Sequence, residues 1–276
     1  MTFALDHIVI NTLFDMDRAA ALMSQLGFTV TPRGYHSLGS INHLMMFEND
    51  YLELIGLPTG TDRLRQDVLE SPRGLNGVVF KVGDADASQH ILRDCGLAML
   101  EPQSFSRPVT IDGVEHLARF RTVRAAPEQF AAGRVYYCQH DTPELVWYRP
   151  WLAHPNGVRG LSELVIVTSN AEIDVPRYAK AAQSSPTRQG DDWIVALPGG
   201  FRLTLMSPAR YRARYGELCV EANGRSSFFG ATVLDAPEPA RIGDLASSVP
   251  DIRVGAGQGT LRVLVPFLNT LLEFRG

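Results

Sequence analysis

Residues 51–56, YLELIG, form an amphipathic segment in which the acid Glu53 stands between apolar neighbours. The same pattern returns in TPELVW, which contains Glu144, and at the end of the chain in LLEFRG, which contains Glu273. A second pattern consists of a leucine, two further residues and a β-branched run. It occurs in LDHIVINT (5–12), LNGVVFKV (75–82) and LSELVIVT (161–168), and more weakly in FFGATVLD (228–235). The recurrence of both patterns predicts four copies of one small unit.

The first unit has the predicted order β-α-β-β-β. Apolar residues recur at helical spacing between 19 and 26, Asp15 is placed to cap this helix, and Gly27 is placed to end it. FTVTP (28–32) is predicted to be the next strand, and two more strands form a hairpin that ends in YLELIG. The second unit repeats this order, with PELVWYR (143–149) as its last strand. Units three and four keep the order with less regular spacing, so the predicted fold class is α+β.

The domain organisation follows from length and from one breaker-rich segment. A chain of 276 residues with 45% hydrophobic residues can form one large domain or two of ordinary size. RPWLAHPNGVRG (149–160) is rich in Pro, Gly and Asn and is the best candidate boundary. We therefore expect two domains, 1–150 and 151–276. A small unit with an exposed sheet face needs a partner to bury it, so each domain should pair two units around a concave surface.

Composition excludes several classes of function. The formal net charge of −4 gives no basic surface for nucleic acid, and no apolar run is long enough to span a membrane. The chain begins without a charged-then-apolar leader, and its three cysteines are widely spaced, which does not suggest a disulfide framework. We expect a cytoplasmic protein whose partner is a small molecule.

Repeated β-α-β-β-β units with a histidine in the first strand and a glutamate in the last resemble the vicinal oxygen chelate superfamily. That superfamily includes glyoxalase I, extradiol dioxygenases, and fosfomycin and bleomycin resistance proteins. The stretch PRGYHSLGSINHLMMFENDYLELIG, together with HPNG after unit two, is similar to the subgroup of glyoxalase-like domain proteins. The resemblance implies four βαβββ modules that form two glyoxalase-like domains, with metal ligands on the first and last strands of paired modules.

Carried over by position, the resemblance implies His7, Glu53 and Glu144 as metal ligands. Gly77 stands where a fourth ligand would be and has no donor. An alternative third ligand is His140, which would give two histidines and one carboxylate. If unit one pairs with unit four, Glu273 replaces Glu144. One or two imidazoles with carboxylates favour a divalent Zn, Mn, Fe(II) or Ni ion.

Each of these residues also has a plain structural interpretation. A lone strand histidine is most often hydrogen-bonded in a core, and Glu144 is at least as typical of a surface acid beside a turn. The candidate substrate-binding residues are Arg33, His36, Asn42, Trp147 and Tyr148. The alternating arginines of the segment around Arg107 to Arg124 are consistent with a solvent-facing side of a sheet.

Two functions remain open, and a third, a structural or partner-binding module, rests only on the less regular second half. The first is a metal-dependent glyoxalase-like enzyme, of the lyase, isomerase or extradiol dioxygenase type, that acts on a small oxygen-bearing substrate. The alternative is a metal-free protein that binds or sequesters a small molecule, as bleomycin resistance proteins do. It is favoured by Gly77, which removes one ligand position. A homodimer is a further expectation for its assembly.

Overall fold

The structure is a computed structural model and describes residues 2–257 and 259–276. The strands of the first half are β1 (Ala4–Leu13), β2 (Gly34–Tyr35), β3 (Ile41–Met46), β4 (Tyr51–Gly56), β5 (Gly74–Lys81), β6 (Gln103–Ile111), β7 (Val114–Arg124) and β8 (Arg134–His140). Those of the second half are β9 (Gly160–Thr168), β10 (Pro186–Gln189), β11 (Asp192–Ala196), β12 (Arg202–Met206), β13 (Ser227–Asp235), β14 (Arg253–Gly257), β15 (Thr260–Val265) and β16 (Thr270–Arg275). The helices are α1 (Met16–Gln25), α2 (Gln66–Leu69), α3 (Ala85–Asp94), α4 (Ala171–Ala182), α5 (Pro208–Tyr215) and α6 (Pro239–Ala246).

The strands form two eight-stranded sheets with the same order. The first runs β2-β3-β4-β1-β5-β8-β7-β6 and the second β10-β11-β12-β9-β13-β16-β15-β14. In each sheet the first strands of two units pair antiparallel at the centre, and each of these central strands pairs in parallel with the last strand of its own unit. Unit one therefore pairs with unit two and not with unit four. The predicted α+β fold of two paired-module domains is confirmed.

Each sheet has one face in a core that the two domains share. Along β1, Ile8 and Ile10 belong to this shared core, whereas Val9 belongs to a separate cluster on the other face. This division follows from the two-residue period of a strand, because successive side chains point to opposite faces. The second domain has its own separate cluster around Tyr211. The faces turned away from the shared core are therefore the two concave surfaces on which sites can form.

Two predicted strands are wrong. In FTVTP, the Thr31 N–H donates to the Leu44 carbonyl, but the Leu44 N–H donates to the Thr31 hydroxyl instead of its carbonyl. The side chain thus replaces a backbone acceptor, and Pro32 has no N–H to extend a ladder. PELVWYR begins with a 3-10 helix, Pro143–Leu145, in place of a strand. Because PELVWYR is not a strand, β8 is the last strand of unit two.

The helix boundaries agree with the glycine positions and not with the predicted cap. Gly27 and Gly96 follow α1 and α3 with φ of +79° and +82°, values that glycine adopts without strain. Asp15 stands at the N-terminus of α1 but makes no side-chain cap there, because its carboxylate pairs with Arg73 at 2.6 Å.

The segment between β8 and β9 contains the predicted boundary after residue 150. Within the described residues, no helix combines the length and hydrophobicity needed to cross a membrane.

Candidate active site

The candidate site starts from a bulge in β1. The pairing register between β1 and β5 shifts between Leu5 and His7, so Asp6 has no direct partner in the ladder. A bulge re-aims a side chain that regular alternation would send to the other face. As a result, the Asp6 carboxylate lies 2.7 Å from the Nδ1 atom of His7, its neighbour in sequence.

Asp6 is a fully buried acid held by two histidines. His7 donates to it through Nδ1, and His140 donates through Nε2 at 3.0 Å. Burial raises the pKa of Asp6, but the interactions with His140 and His7 outweigh burial and leave the pKa well below its ordinary value. Because an ionised carboxylate only accepts hydrogen bonds, the His7 proton sits on Nδ1, and Nε2 is the atom turned to the other side. The His7 ring is also stacked on Tyr51, with ring centroids 4.3 Å apart.

His7 and Glu53 meet on the concave face of the first sheet. The His7 Nε2 and Glu53 Oε2 atoms are 3.4 Å apart, and Asn42 donates to Glu53 Oε1 at 2.7 Å. Burial raises the pKa of Glu53, but His7, His36 and Asn42 outweigh this effect and lower it to about 2. The pKa of His7 is raised in turn, since Asp6 and Glu53 outweigh the opposing effect of burial. His7 is therefore hydrogen-bonded to Asp6 through Nδ1, and Glu53 to Asn42 through Oε1. This leaves His7 Nε2 and Glu53 Oε2 next to each other.

The internal symmetry of the sheet shows what unit two contributes at the same place. His7 lies opposite Val79 and Val9 lies opposite Gly77, so Gly77 in unit two corresponds to His7 in unit one. Val9 pairs with Glu53 and Val79 pairs with Tyr136, so Tyr136 corresponds to Glu53. The Tyr136 hydroxyl lies 3.4 Å from His7 Nε2. Burial, with Glu53 nearby, raises the pKa of Tyr136, so it stays a phenol that can donate a proton.

These groups line a cavity that also contains an arginine with no acidic partner among the described residues. The cavity has a volume of about 30 Å³, and because a single water needs about 10–15 Å³, it holds roughly two waters. Arg107 on β6 lines it with 3% of its surface exposed, and its Nη2 atom has no hydrogen-bond partner among the described residues. Burial lowers the pKa of Arg107. Burial also lowers the pKa of His36 to about 3, with Arg65 and Arg107 adding to the effect, so this imidazole is neutral.

The structure brings only some of the predicted site residues to this cavity. His7, Glu53, His36 and Asn42 line it, whereas Glu144 is exposed on the 3-10 helix Pro143–Leu145. The sequence pattern equates Glu144 with Glu53 on the expectation that PELVWYR is a strand, but in the structure the Glu53 position of unit two belongs to Tyr136 on β8.

The remaining predicted residues lie beside the cavity or away from it. His140 is directed to Asp6 and not to Glu53, so the set of His7, His140 and Glu53 does not converge on one point. Arg33 pairs with Asp17.

Two predicted aromatic residues make contacts outside the cavity. Trp147 packs on His140, with ring centroids 4.9 Å apart, and the Lys81 ammonium lies 4.1 Å above its ring. Tyr148 donates to Asp112 and packs on Trp151. Neither ring lines the cavity.

The donor set fits a divalent ion held by His7 and Glu53. Two ligand atoms 3.4 Å apart can both reach one ion at metal–ligand distances of about 2.0–2.2 Å. Ligating histidines usually donate their other N–H to a carboxylate, as His7 does to Asp6, and ligating carboxylates are themselves hydrogen-bonded, as Glu53 is by Asn42. With Gly77 offering no donor, positions on such an ion stay open for substrate.

A second set of donors lies behind His7. Donor atoms of Asp6, Cys138 and His140 lie within 4.8 Å of one another. The Asp6 oxygens already accept from both histidines, and the Lys81 ammonium is 3.9 Å away from the same carboxylate. A cation there would have to replace these bonds beside a positive charge, so this set fits a metal less well.

The second domain has acids at the corresponding positions, but arginines pair with them. Glu163 lies opposite Val233, which pairs with Glu273, so these acids correspond to His7 and Tyr136. Both are 1% exposed. Their ion-pair partners are Arg202, Arg214, Arg262 and Arg275, at 2.7–3.8 Å. The carboxylates are therefore engaged in a buried network and do not present free atoms to a cavity.

Three residues of the site were not predicted from sequence. Asp6 was missed because a regular strand would direct it to the opposite face from His7. Arg107 was assigned to a solvent-facing side, although it lies two residues from Phe105, which also lines the cavity. Tyr136 could have been found by aligning VYYCQH with YLELIG as the last strands of their units.

Comparisons with known proteins agree with this architecture. The family model described as a glyoxalase-like domain matches residues 5–182. A comparison with curated proteins gave no match.

Among solved structures, a hypothetical protein from Staphylococcus aureus has a TM-score of 0.68 at 12% identity, with 98% of each chain covered. A fusion protein of a xylose isomerase-like TIM barrel and 4-hydroxyphenylpyruvate dioxygenase has a TM-score of 0.59 at 13% identity, over 99% of this chain and 49% of that one. A triple mutant of 4-hydroxymandelate synthase from Streptomyces coelicolor has a TM-score of 0.57 at 11% identity, over 99% and 92%. At these identities the structural likeness shows the fold alone, whereas the family model covers more than half of the sequence. The chain therefore belongs to the glyoxalase-like domain family.

Proposed function

We propose that this protein is a metal-dependent glyoxalase-like enzyme that acts on a small, negatively charged, oxygen-bearing substrate in the cavity of the first domain. The observation that carries the proposal is the pair of His7 Nε2 and Glu53 Oε2, 3.4 Å apart and each held from behind. Two of the structural neighbours are named as a dioxygenase fusion and a synthase, so the lyase, isomerase and dioxygenase types all remain within the proposal.

The residues around the cavity have distinct roles in this proposal. A divalent ion bound by His7 and Glu53 would act as a Lewis acid on substrate oxygens. Arg107 binds the negative charge of the substrate, since its guanidinium is buried without an acidic partner. The Tyr136 phenol holds a proton 3.4 Å from His7 Nε2 and can donate it to a developing negative charge. Neutral His36 contributes a hydrogen bond without adding a further positive charge.

The test is metal content and metal affinity of four purified proteins. We expect the wild type to bind a divalent ion with near-stoichiometric occupancy after loading with Zn, Mn, Fe(II) or Ni, and His7→Ala and Glu53→Gln to lose it. Glu144→Gln is the matched control, because this acid is exposed and outside the cavity. Metal retained by both His7→Ala and Glu53→Gln would refute the assignment.

A metal-free binding protein is the second candidate function. It is favoured by Gly77, which supplies no donor, and by Arg107, which offers an anion site that needs no metal. In that case a small carboxylate would bind with the same affinity in the presence of a chelator, and Arg107→Gln, but not His7→Ala, would remove binding. The cytoplasmic location and the homodimer stay predictions.

A further inference from the structure

A second cavity lies where the two domains meet, and we refer to it as the arginine cavity. It has a volume of about 250 Å³. Most of its wall comes from the first domain, including Arg124 and Arg134, and Arg225 from the segment before β13 completes it. Among the described residues, Tyr136 is the one that lines both this cavity and the cavity of the candidate active site. The arginine cavity is therefore a separate space, lined by the first domain and by Arg225 of the second.

The acids of this cavity do not neutralise its arginines. Asp67 is shared, with Arg65 at 2.7 Å, Arg134 at 3.2 Å and Arg124 at 3.3 Å. Burial raises the pKa of Asp67, but these arginines outweigh burial and lower it to about 2, so it carries a full negative charge. The other acid on the wall, Glu70, is exposed to solvent. One partly buried carboxylate thus serves three guanidinium groups.

Arg225 brings a further positive charge from the second domain. Its Nε donates to the Ala222 carbonyl at 3.0 Å, and its guanidinium lies 5.6 Å from the Phe228 ring centroid. Among the described residues, no carboxylate lies within salt-bridge distance of it. Burial lowers its pKa, as expected for a cation that lacks a compensating acid.

Each of the three arginines on the wall also keeps one unsatisfied buried nitrogen. Arg124 donates to Gln103 at 2.9 Å but leaves Nε without a partner, and Arg134 donates to Asn76 at 2.9 Å but leaves Nη2 without one. Arg225 leaves Nη1 without a partner. These nitrogens are closed off from solvent, so they record an excess of donors over acceptors around the three guanidinium groups. An oxyanion would supply acceptors in the fork geometry that guanidinium groups match best.

Most of the remaining wall is apolar. Leu100, Ala126, Phe130 and Val135 line it together with other small apolar residues. We propose that the arginine cavity binds a small organic anion that has a carboxylate or phosphate head, held by Arg124, Arg134 and Arg225, and an apolar body against this wall. The site is independent of the metal assigned to the first cavity, because it uses none of its ligands.

The test is calorimetric titration of the full chain with four probes. These are octanoate, octyl phosphate, neutral octanamide and inorganic phosphate. We expect saturable binding of octanoate or octyl phosphate, with octanamide and inorganic phosphate each weaker by about tenfold or more, since one lacks the charge and the other the apolar body. The stronger of octanoate and octyl phosphate identifies the head group.

Variants then locate the ligand. Arg225→Gln is expected to weaken binding about tenfold or more, as loss of one charge-assisted contact requires. Ala131→Phe fills the cavity from an exposed position on its wall, so it should block binding without disturbing the core. The matched control is Arg212→Gln, an exposed arginine of the same domain outside the cavity, and it should bind as the wild type does.

Three results would overturn the proposal. The first is absence of saturable binding of either anionic probe to the wild type. The second is equal binding of octanamide, which would exclude the arginines as the head-group site. The third is loss of binding in Arg107→Gln with full binding in Arg225→Gln and Ala131→Phe, which would place the ligand in the first cavity. Thermal melting identifies any variant that fails to fold. If Arg225→Gln fails to fold, binding to Ala131→Phe tests the location of the ligand.

Discussion

Replacement of Asp6 by asparagine tests the hydrogen bond that orients His7, the proposed metal ligand. Both His7 Nδ1 and His140 Nε2 donate to the Asp6 carboxylate, at 2.7 Å and 3.0 Å. Asparagine has a single side-chain oxygen and presents an N–H₂ group in place of the second one. Whichever way the amide is turned, its N–H₂ group faces one histidine N–H: that of His140, 3.1 Å away, at the Oδ1 position, or that of His7, 2.7 Å away, at the Oδ2 position. If His7 changes tautomer to meet the amide, its proton moves to Nε2 and the lone pair that faces Glu53 is lost.

The size of the effect follows from the role of such supporting groups. Removing a carboxylate that orients a ligating histidine typically costs about 10–100-fold in metal affinity, or about 1.4–2.8 kcal/mol. We expect Asp6→Asn to weaken metal binding by this amount and not to abolish it, because His7 and Glu53 both remain. The variant should stay folded, since asparagine has nearly the volume of aspartate and keeps one of the two hydrogen bonds.

Calorimetric titration with Zn, Mn, Fe(II) or Ni measures this effect, with Asp94→Asn as the control because Asp94 is exposed on α3. An unchanged dissociation constant in Asp6→Asn would refute the orienting role. A different result, in which His140→Gln loses metal and His7→Ala keeps it, would place the ion on Asp6, Cys138 and His140 instead.

Three further predictions concern stability. Arg107→Met should raise the free energy of unfolding by about 1–2 kcal/mol, because an apolar side chain replaces a buried cation that has no acidic partner among the described residues. Arg214→Met should lower the free energy of unfolding by about 3–5 kcal/mol, because two buried glutamates lose an ion-pair partner. Chemical denaturation of both variants checks this contrast. Gly77→Ala should cost about 1–3 kcal/mol, since a Cβ there would lie 2.9 Å from the Val9 side chain; an unchanged melting temperature would contradict this. Glu163 has a pKa lowered from 4.5 to about 2, because its arginines outweigh burial, so its contribution is complete above pH 4.5 and is lost as the pH falls towards 2. The difference, 4.5 − 2 = 2.5, corresponds to about 3 kcal/mol, and Glu163→Gln should remove this part of the acid sensitivity in pH-dependent unfolding.

The fold could be predicted because the repeated units contain strands that can be recognised from their residue pattern. His7 and Gly77 were assigned equivalent positions from sequence, and the register of β1 and β5 places them so. The sequence predicts the strand VYYCQH but wrongly places one more strand after it, because TPELVW matches YLELIG in residue type, although Pro143 starts a 3-10 helix there. Residue patterns therefore located the strands that are buried on both faces, and failed where a proline decides local geometry.

The candidate site was predicted only in part, for a physical reason. His7, Glu53, His36 and Asn42 lie on regular strands or beside them, so their positions follow from alternation. The function of Asp6 depends on a bulge, which periodicity does not show. Burial of Arg107 depends on contact between the β6–β7 hairpin and the loop that follows β2, where the Ser37 N–H donates to the Ser106 carbonyl at 2.9 Å. Such a contact between units is not encoded in any short pattern.

A comparison of the two domains supports the choice of the first domain for the proposed activity. Both place ionisable residues at the centre of the concave face, but the second domain pairs Glu163 and Glu273 with arginines. The first domain leaves His7 Nε2 and Glu53 facing a cavity with the unpaired Arg107, an arrangement that costs stability. Groups that lower stability without a structural role are typical of functional sites. The His7 and Glu53 atoms that face a cavity beside Arg107 are therefore the reason for proposing the activity in the first domain.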